Sequence, residues 1–467
     1  MVRSLISLAS LATTLGARSA LGATTTTATS AAAAASASLP SPTAIDLASG
    51  GGTVGALFRP APGGDAAKAA TAIMVMHAEQ DYWSFYPCTE LPARGYTVLC
   101  ANNAASKSGY MSDLNFEDMM VDVGYAVGWL RNQSDIERVV LFGHSGGGAM
   151  LAQYQNVAEN GAAACNGSEK ISPCSSAVEG LPAADGVVLD DANFGIGPMM
   201  VMSLNPAITD ETSGMQIDEA LDLYSAAHGW SSTGSSNYSA EFAKQFAAGV
   251  HARNTRLIAY AKERLAAIEN GTGLFADDEP FYIPDALYLG MNNKFFPQDL
   301  SYLHHTTYPW KLLHKNGSYT TQIVPSVRTA TTVSSLANSY LNGGLKTTIK
   351  RFLATFAVTT TEDFGYQADG VTGIVWNSSQ LVPIAAVKGI HVPLLTMGNT
   401  GHYEFMNIEK THLAAVSNDT DIAFVEGAQH TINTCTECEA YAGEFGDTVK
   451  TTFDYVDQWL SKPGRFF

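Results

Sequence analysis

The feature that most restricts what this chain can fold into is Gly143-His144-Ser145-Gly146-Gly147, a G-x-S-x-G placed directly after the β-branched run 138–142 and directly before a helix that opens at about Gly146. A strand that turns straight into a helix leaves no room for side chains at the turn, so glycines flank the serine. The turn lifts Ser145 Oγ clear of a sheet. It also brings the free N–H groups of a helix N-terminus close to the serine, and Gly146 N–H is the first donor a developing oxyanion would meet. A bare G-x-S-x-G recurs by chance in a Gly/Ser-rich chain, so it is the strand-turn-helix setting that argues for a nucleophile over a structural glycine turn.

The same alternation of strand and helix runs along much of the chain. Short apolar runs at 72–76, 96–101, 138–142, 186–189, 392–397 and 422–425 read as strands, and helical patterns separate them. That is the sequence form of a mostly parallel sheet flanked by helices. Met119, Val123, Ala126, Val127 and Leu130 recur at helical spacing, as do Phe445, Val449, Phe453, Val456 and Leu460 near the end. Between 189 and 392 this rhythm stops, over a distance far beyond an ordinary loop. The stretch 192–385 therefore reads as a large, mainly helical cap inserted before the late strands. Its strongest helix is expected at 240–268, with Phe242, Phe246, Val250, Leu257, Tyr260, Ala261 and Leu265 on one face. Its other aromatics, among them Phe281, Tyr288, Phe295, Phe296, Tyr302, Tyr308 and Trp310, are expected mostly to form the cap's own core and partly to wall a cleft.

The ends of the chain and its composition narrow the setting. Arg3, the apolar run 5–16 and the small residues Leu21-Gly22-Ala23 have the order of a secretory signal peptide, assigned here to 1–23. A low-complexity Ala/Thr/Ser leader follows at 24–44. The α/β core is then expected in two pieces, 45–191 and 386–467, around the insertion. No later run is long and apolar enough for a membrane span. With 26 Lys+Arg against 44 Asp+Glu and a net charge of -18, the chain lacks the basic face that nucleic acid demands. Secretion would make the Asn-X-Ser/Thr sequons at Asn132, Asn166, Asn237, Asn270, Asn316, Asn377 and Asn418 candidates for glycosylation. It would also let the cysteines at 88, 100, 165, 174, 435 and 438 pair locally. Cys435-Thr-Glu-Cys438 beside His430 offers half of a zinc site, but no second C-x-x-C or His pair completes it, so neither metal nor cofactor is expected.

A serine nucleophile needs a base, most often histidine. His430 follows the last expected strand in Val425-Glu426-Gly427-Ala428-Gln429-His430, at a strand's C-terminal edge, where α/β active sites assemble. His304, His305 and His314 fall inside the insertion and read as cap residues or pocket lining. An ordinary histidine base would make activity rise through a pH of about 6 to 7.

At these residues the chain resembles the α/β-hydrolase superfamily, over about 70–200 and 385–465. It looks closest to a microbial branch with a Gly-rich elbow, a large cap and a tail that here reads Val392-Pro393-Leu394-Leu395, Gly401-His402-Tyr403 and Val425 to His430. The resemblance implies an α/β-hydrolase fold and an esterase-like Ser-acid-His mechanism without a cofactor. In the superfamily the strand carrying the oxyanion loop often ends in His-Gly, whereas here it runs Met76-His77-Ala78-Glu79-Gln80-Asp81. Ala78 and Gly146 N–H are the oxyanion donors this implies, with Glu79 facing outward or bonding the substrate. The usual aspartate after the strand at 392 is replaced by Gly398-Asn399-Thr400-Gly401-His402. Glu404 is the first carboxylate beyond it and the leading candidate for the acid, Glu409 the next, and the pair Asp190 and Asp191 a third site the superfamily sometimes uses. The expected protein is a secreted carboxylic ester hydrolase acting on a medium-to-large apolar small-molecule ester. Acyl transfer on the same residues, or a catalytically inactive fold used for binding, are the alternatives.

Overall fold

The computed structural model describes residues 39–49, 51–107, 112–288, 293–332 and 343–467. The expected signal peptide and most of the leader lie outside them. Residues 39–467 form one compact unit. Its strands in chain order are β1 (Thr43–Asp46), β2 (Val54–Phe58), β3 (Thr71–His77), β4 (Thr97–Asn102), β5 (Arg138–His144), β6 (Gly186–Asp190) and β7 (Pro280–Ile283). There follow β8 (His305–Leu313), β9 (Tyr319–Pro325), β10 (Leu345–Thr348), β11 (Thr360–Gln367), β12 (Gly370–Ile374), β13 (Leu394–Asn399) and β14 (Thr420–Val425).

Ten of these make one sheet in the order β1-β2-β4-β3-β5-β6-β13-β14-β8-β9. From β4 to β8 every neighbour is parallel, and antiparallel strands close both sides. The central strands are buried along their length, as β3, β4 and β13 are at every position, because helices cover both faces of the sheet. Side chains alternate between two core layers. Met74, Met76, Leu141 and Leu189 join one layer, while Ile73, Val75, Val140 and Phe142 join the other. The helix Phe116–Arg131 lays its expected stripe on the first, its start capped by Asn115 accepting the Asp118 N–H at 3.1 Å. The closing helix Thr448–Leu460 puts Phe453, Val456 and Leu460 into the second. Phe445, expected on that helix, precedes it and packs against Gly427, its ring filling the space where a side chain at 427 would stand.

The stretch 192–385 is less helical than its sequence implies. The long helix is there, at Ala240–Glu269, but six strands accompany it, and β8 and β9 extend the central sheet beyond β14. β9 hides from periodicity because it is an edge strand rich in Thr and Gln, exposed at its first five positions. The aromatics here chiefly build a core. Phe295 has its ring centre 4.8 Å from Tyr238, 5.3 Å from Phe246, 5.0 Å from Tyr302 and 5.2 Å from Tyr366. The six cysteines form three sequence-local disulfides, Cys88–Cys100, Cys165–Cys174 and Cys435–Cys438. The last takes both thiols of the C-x-x-C away from metal.

Candidate active site

The elbow lies between β5 and the helix Gly146–Asn160. Ser145 has φ 56° and ψ −129°, a conformation that a side chain adopts only under constraint from its surroundings. The glycines show what the constraint is. A Cβ on Gly147 would lie 2.4 Å from Met76 O, and one on Gly148 2.4 Å from Ala192 Cβ, so both are required for the helix to pack against the ends of β3 and β6.

Ser145 Oγ stands 2.8 Å from His430 Nε2, and His430 Nδ1 donates to Asp191 Oδ2 at 2.7 Å. His430 is carried by the loop after β14 and Asp191 is the first residue after β6, with φ 42°. Asp191 is wholly buried, and its other oxygen accepts the Asn399 N–H from the end of β13 at 3.0 Å. His430 is itself held from behind. His144 Nε2–H donates to the His430 carbonyl at 2.5 Å, and Tyr82 O–H donates to His144 Nδ1 at 2.7 Å.

The candidate acids therefore separate by geometry, and in a different order from the sequence reading. Glu404 comes near, with Oε2 3.4 Å from His430 Nδ1, yet this buried oxygen has no hydrogen-bond partner among the described residues. Glu409 is elsewhere. It accepts the Thr307 and Tyr308 N–H groups, each at 2.8 Å, and Trp310 Nε1–H at 2.7 Å, fastening the start of β8 to the helix Phe405–Ala414. Asp190 is buried with neither oxygen hydrogen-bonded to a described residue and does not line the cavity. Asn399 stands at the end of β13, where an aspartate is usual, and supplies its backbone N–H to Asp191 instead. The Asp-Asp at the end of a buried strand was the available signal.

Before Ser145 opens a cavity of about 520 Å³, walled by Ile196, Met199, Phe85 and Tyr288 and edged by His77, Glu79, Asn193 and His402. Of the insertion's expected cleft aromatics, Tyr288 alone among the described residues reaches it. His304, His305 and His314 do not. Gly146 borders the cavity, but Ala78 does not: it is fully buried, with its carbonyl taken by Asn103 Nδ2. Glu79 faces the cavity.

Burial governs the charges. It pushes the His430 imidazole down to about 4, and with neighbouring histidines it holds His77, His144 and His402 well below the ordinary range. The rings are neutral at pH 7. Burial also raises Asp191, opposed by the Asn399 N–H, and raises Glu404, where the Asp191 charge adds to it. Glu404 lacks the donors that Asp191 has, so of two adjacent carboxyls Glu404 is the one that keeps its proton. Glu79 is pushed up to about 8 by burial, against the pull of Lys107. Asp191, His402, Glu404 and His430 also bring ligand atoms within 4.8 Å of one another, close enough for a cation, which would have to displace the His430–Asp191 hydrogen bond.

No family model and no curated protein matches the chain. Among solved structures it is similar to Est1E from Butyrivibrio proteoclasticus, at 8% identity and TM-score 0.36 over 90% of this chain and 98% of that one. It is similar to a monoacylglycerol lipase from Paleococcus ferrophilus, at 12% and 0.36 over 87% and 97%. The siderophore hydrolase EstB from Aspergillus fumigatus gives 10% and 0.39 over 91% and 98%. The order β1-β2-β4-β3-β5-β6-β13-β14, with a serine at the strand-to-helix turn after β5 and a histidine after the last of these strands, is that of the α/β-hydrolase fold.

Proposed function

We propose that this protein is a secreted serine hydrolase that cleaves carboxylic esters, with Ser145 as nucleophile, His430 as general base and acid, and Asp191 as the residue that orients the imidazole. The observation that carries the reading is the unbroken chain Ser145 Oγ, His430, Asp191 at 2.8 and 2.7 Å, opening on a cavity. Ser145 Oγ bonds to the ester carbonyl carbon while its proton passes to His430 Nε2 and the carbonyl electron pair moves onto oxygen. Collapse of this adduct breaks the bond to the alcohol oxygen, which takes the proton from His430. Water then repeats the sequence on the acyl-enzyme and releases the carboxylic acid. Asp191, fixed by Asn399, keeps the Nδ1 proton in place and stabilises the imidazolium.

Apolar walls of Ile196, Met199, Phe85 and Tyr288 favour an ester with a sizeable hydrophobic portion. Pairing of all six cysteines fits an oxidising compartment and supports export. A fluorophosphonate probe tests the central claim. It should label the parent at Ser145, and Ser145→Ala should lose both labelling and ester hydrolysis while keeping its melting temperature. Full labelling of the alanine variant refutes the assignment.

A further inference from the structure

Of the two backbone donors expected to receive the oxyanion, only Gly146 borders the cavity. Ala78 lies outside the cavity, and the next two N–H groups of that loop, Glu79 and Gln80, are both turned onto His77 Nδ1, at 3.0 and 2.9 Å. Backbone N–H groups can only donate, so His77 Nδ1 is an acceptor and the neutral ring carries its proton on Nε2. That nitrogen faces the elbow. A Cβ built on Gly146 would lie 3.2 Å from His77 Nε2 and 3.5 Å from Asn193 Nδ2. Asn193 is oriented in the same way: its Oδ1 accepts the Gly195 N–H at 2.9 Å, which leaves the amide Nδ2 toward Gly146, and its own N–H donates to Ser145 O at 3.2 Å. Asn103 Nδ2 pins the loop from beneath through the carbonyls of His77 and Ala78.

We infer that the oxyanion is received largely by side chains, with His77 Nε2–H and Asn193 Nδ2–H joining Gly146 N–H, so that His77 is a catalytic residue. The inference rests on the ester-hydrolase reading above. It also accounts for glycine at 146: a side chain there would fill the space between the two donors. The ring is suited to the role because burial and the neighbouring His144 and His430 keep it neutral, so its N–H strengthens toward a charge that exists only in the transition state.

The test separates donation from loop-holding. In His77→Asn the amide oxygen can take the Nδ1 position and keep the loop N–H groups paired, but nothing replaces Nε2–H. In His77→Gln the amide nitrogen reaches the Nε2 position. Loss of one oxyanion donor lowers kcat by about 100- to 1000-fold, so His77→Asn should fall that far with KM within about threefold, and His77→Gln should recover about tenfold or more. A kcat for His77→Asn within threefold of the parent, or equal losses in both variants, overturns the role. A readout that needs no variant is the Nε2–H proton resonance of ¹⁵N-histidine-labelled parent, which should move downfield on binding a trifluoromethyl ketone; a fixed resonance also overturns it. If fluorophosphonate does not label Ser145 of the parent, the ester-hydrolase reading fails first and takes this inference with it. A labelled parent with a fully active His77→Asn loses only the oxyanion assignment.

Discussion

Asp191→Asn is the substitution whose outcome the geometry fixes most tightly. Asp191 Oδ1 accepts the Asn399 N–H at 3.0 Å, and that backbone donor needs an acceptor after the change. The new amide must therefore keep its oxygen toward Asn399 and turn its NH₂ toward His430 Nδ1. An NH₂ facing Nδ1 demands a lone pair there, which moves the ring proton to Nε2, the atom 2.8 Å from Ser145 Oγ. The base then cannot accept the serine proton. Loss of the correct tautomer costs on the order of 10⁴ in kcat, or about 5.5 kcal/mol of barrier at 1.36 kcal/mol per factor of ten. Glu404→Gln should cost less than about tenfold, since Glu404 stands 3.4 Å from Nδ1 and burial and the Asp191 charge push it toward its neutral form, close in shape and charge to glutamine. The assay is kcat/KM on a p-nitrophenyl ester together with the rate of fluorophosphonate labelling. A loss of 10³ or more in Glu404→Gln with a mild Asp191→Asn refutes the argument and returns the acid to Glu404.

Four further outcomes can be checked. Because His430 acts only when neutral and burial has pushed it down to about 4, kcat/KM should hold its full value through pH 6 and fall as pH drops through about 4; an acid limb at 6 to 7 would show an unperturbed base. Glu79, pushed up to about 8, gains a charge in the cavity as pH rises through that value and opposes the oxyanion, so activity should fall there and Glu79→Gln should abolish that limb. Glu409→Gln should leave kcat near parental but cost about 2 to 4 kcal/mol in urea unfolding, because one amide cannot accept all three of the donors from Thr307, Tyr308 and Trp310; a turnover loss without a stability loss would reinstate it as an acid. Each methylene buried is worth about 0.8 kcal/mol, roughly fourfold in kcat/KM, so efficiency across p-nitrophenyl esters should climb from acetate until the cavity of about 520 Å³ is full; a maximum at acetate would contradict an apolar acyl site.

What could be read in the sequence was whatever local pattern fixes. The six expected strands and the four expected helices are present, because each carries its own apolar period or its own start signal. The elbow was legible for the same reason, since tight turn, glycines and serine fall within five residues. His430 stands out in the sequence because it follows a strand at a short distance. β8 and β9 have no such pattern: neither alternates buried with exposed positions, β8 takes its place in the sheet from β14, more than a hundred residues away, and β9 pairs with β8. The hydrogen-bonding roles of His77, His144 and Asn193 have no signal in the sequence, because which atom of each donates and which accepts is set by bonds that form only in the fold.

The acid shows most clearly why such a site resists local reading. Asp191 is oriented by the Asn399 N–H, which lies 208 positions on, and the chain just beyond Asp191 is pinned by Asn407 Nδ2, which donates to the Ala192 and Asn193 carbonyls at 2.9 and 2.8 Å. Asn193 in turn donates its N–H to Ser145 O, while Asn399 Nδ2 and His144 both bond the His430 carbonyl. The ends of β5, β6, β13 and β14 are thus cross-linked by amides and one imidazole, whose partners apart from the Asp191 carboxylate are main chain. Each bond is modest, but together they hold nucleophile, base and acid in reacting geometry before substrate arrives, so little reorganisation is left for the transition state. Asn407 touches none of the three reacting side chains. It is nevertheless a positioning residue, and Asn407→Ala should lower kcat more than it raises KM, because what it frees is the Asp191–Asn193 turn and with it the aim of Asp191 at His430. An effect confined to KM would place the turn in substrate binding instead.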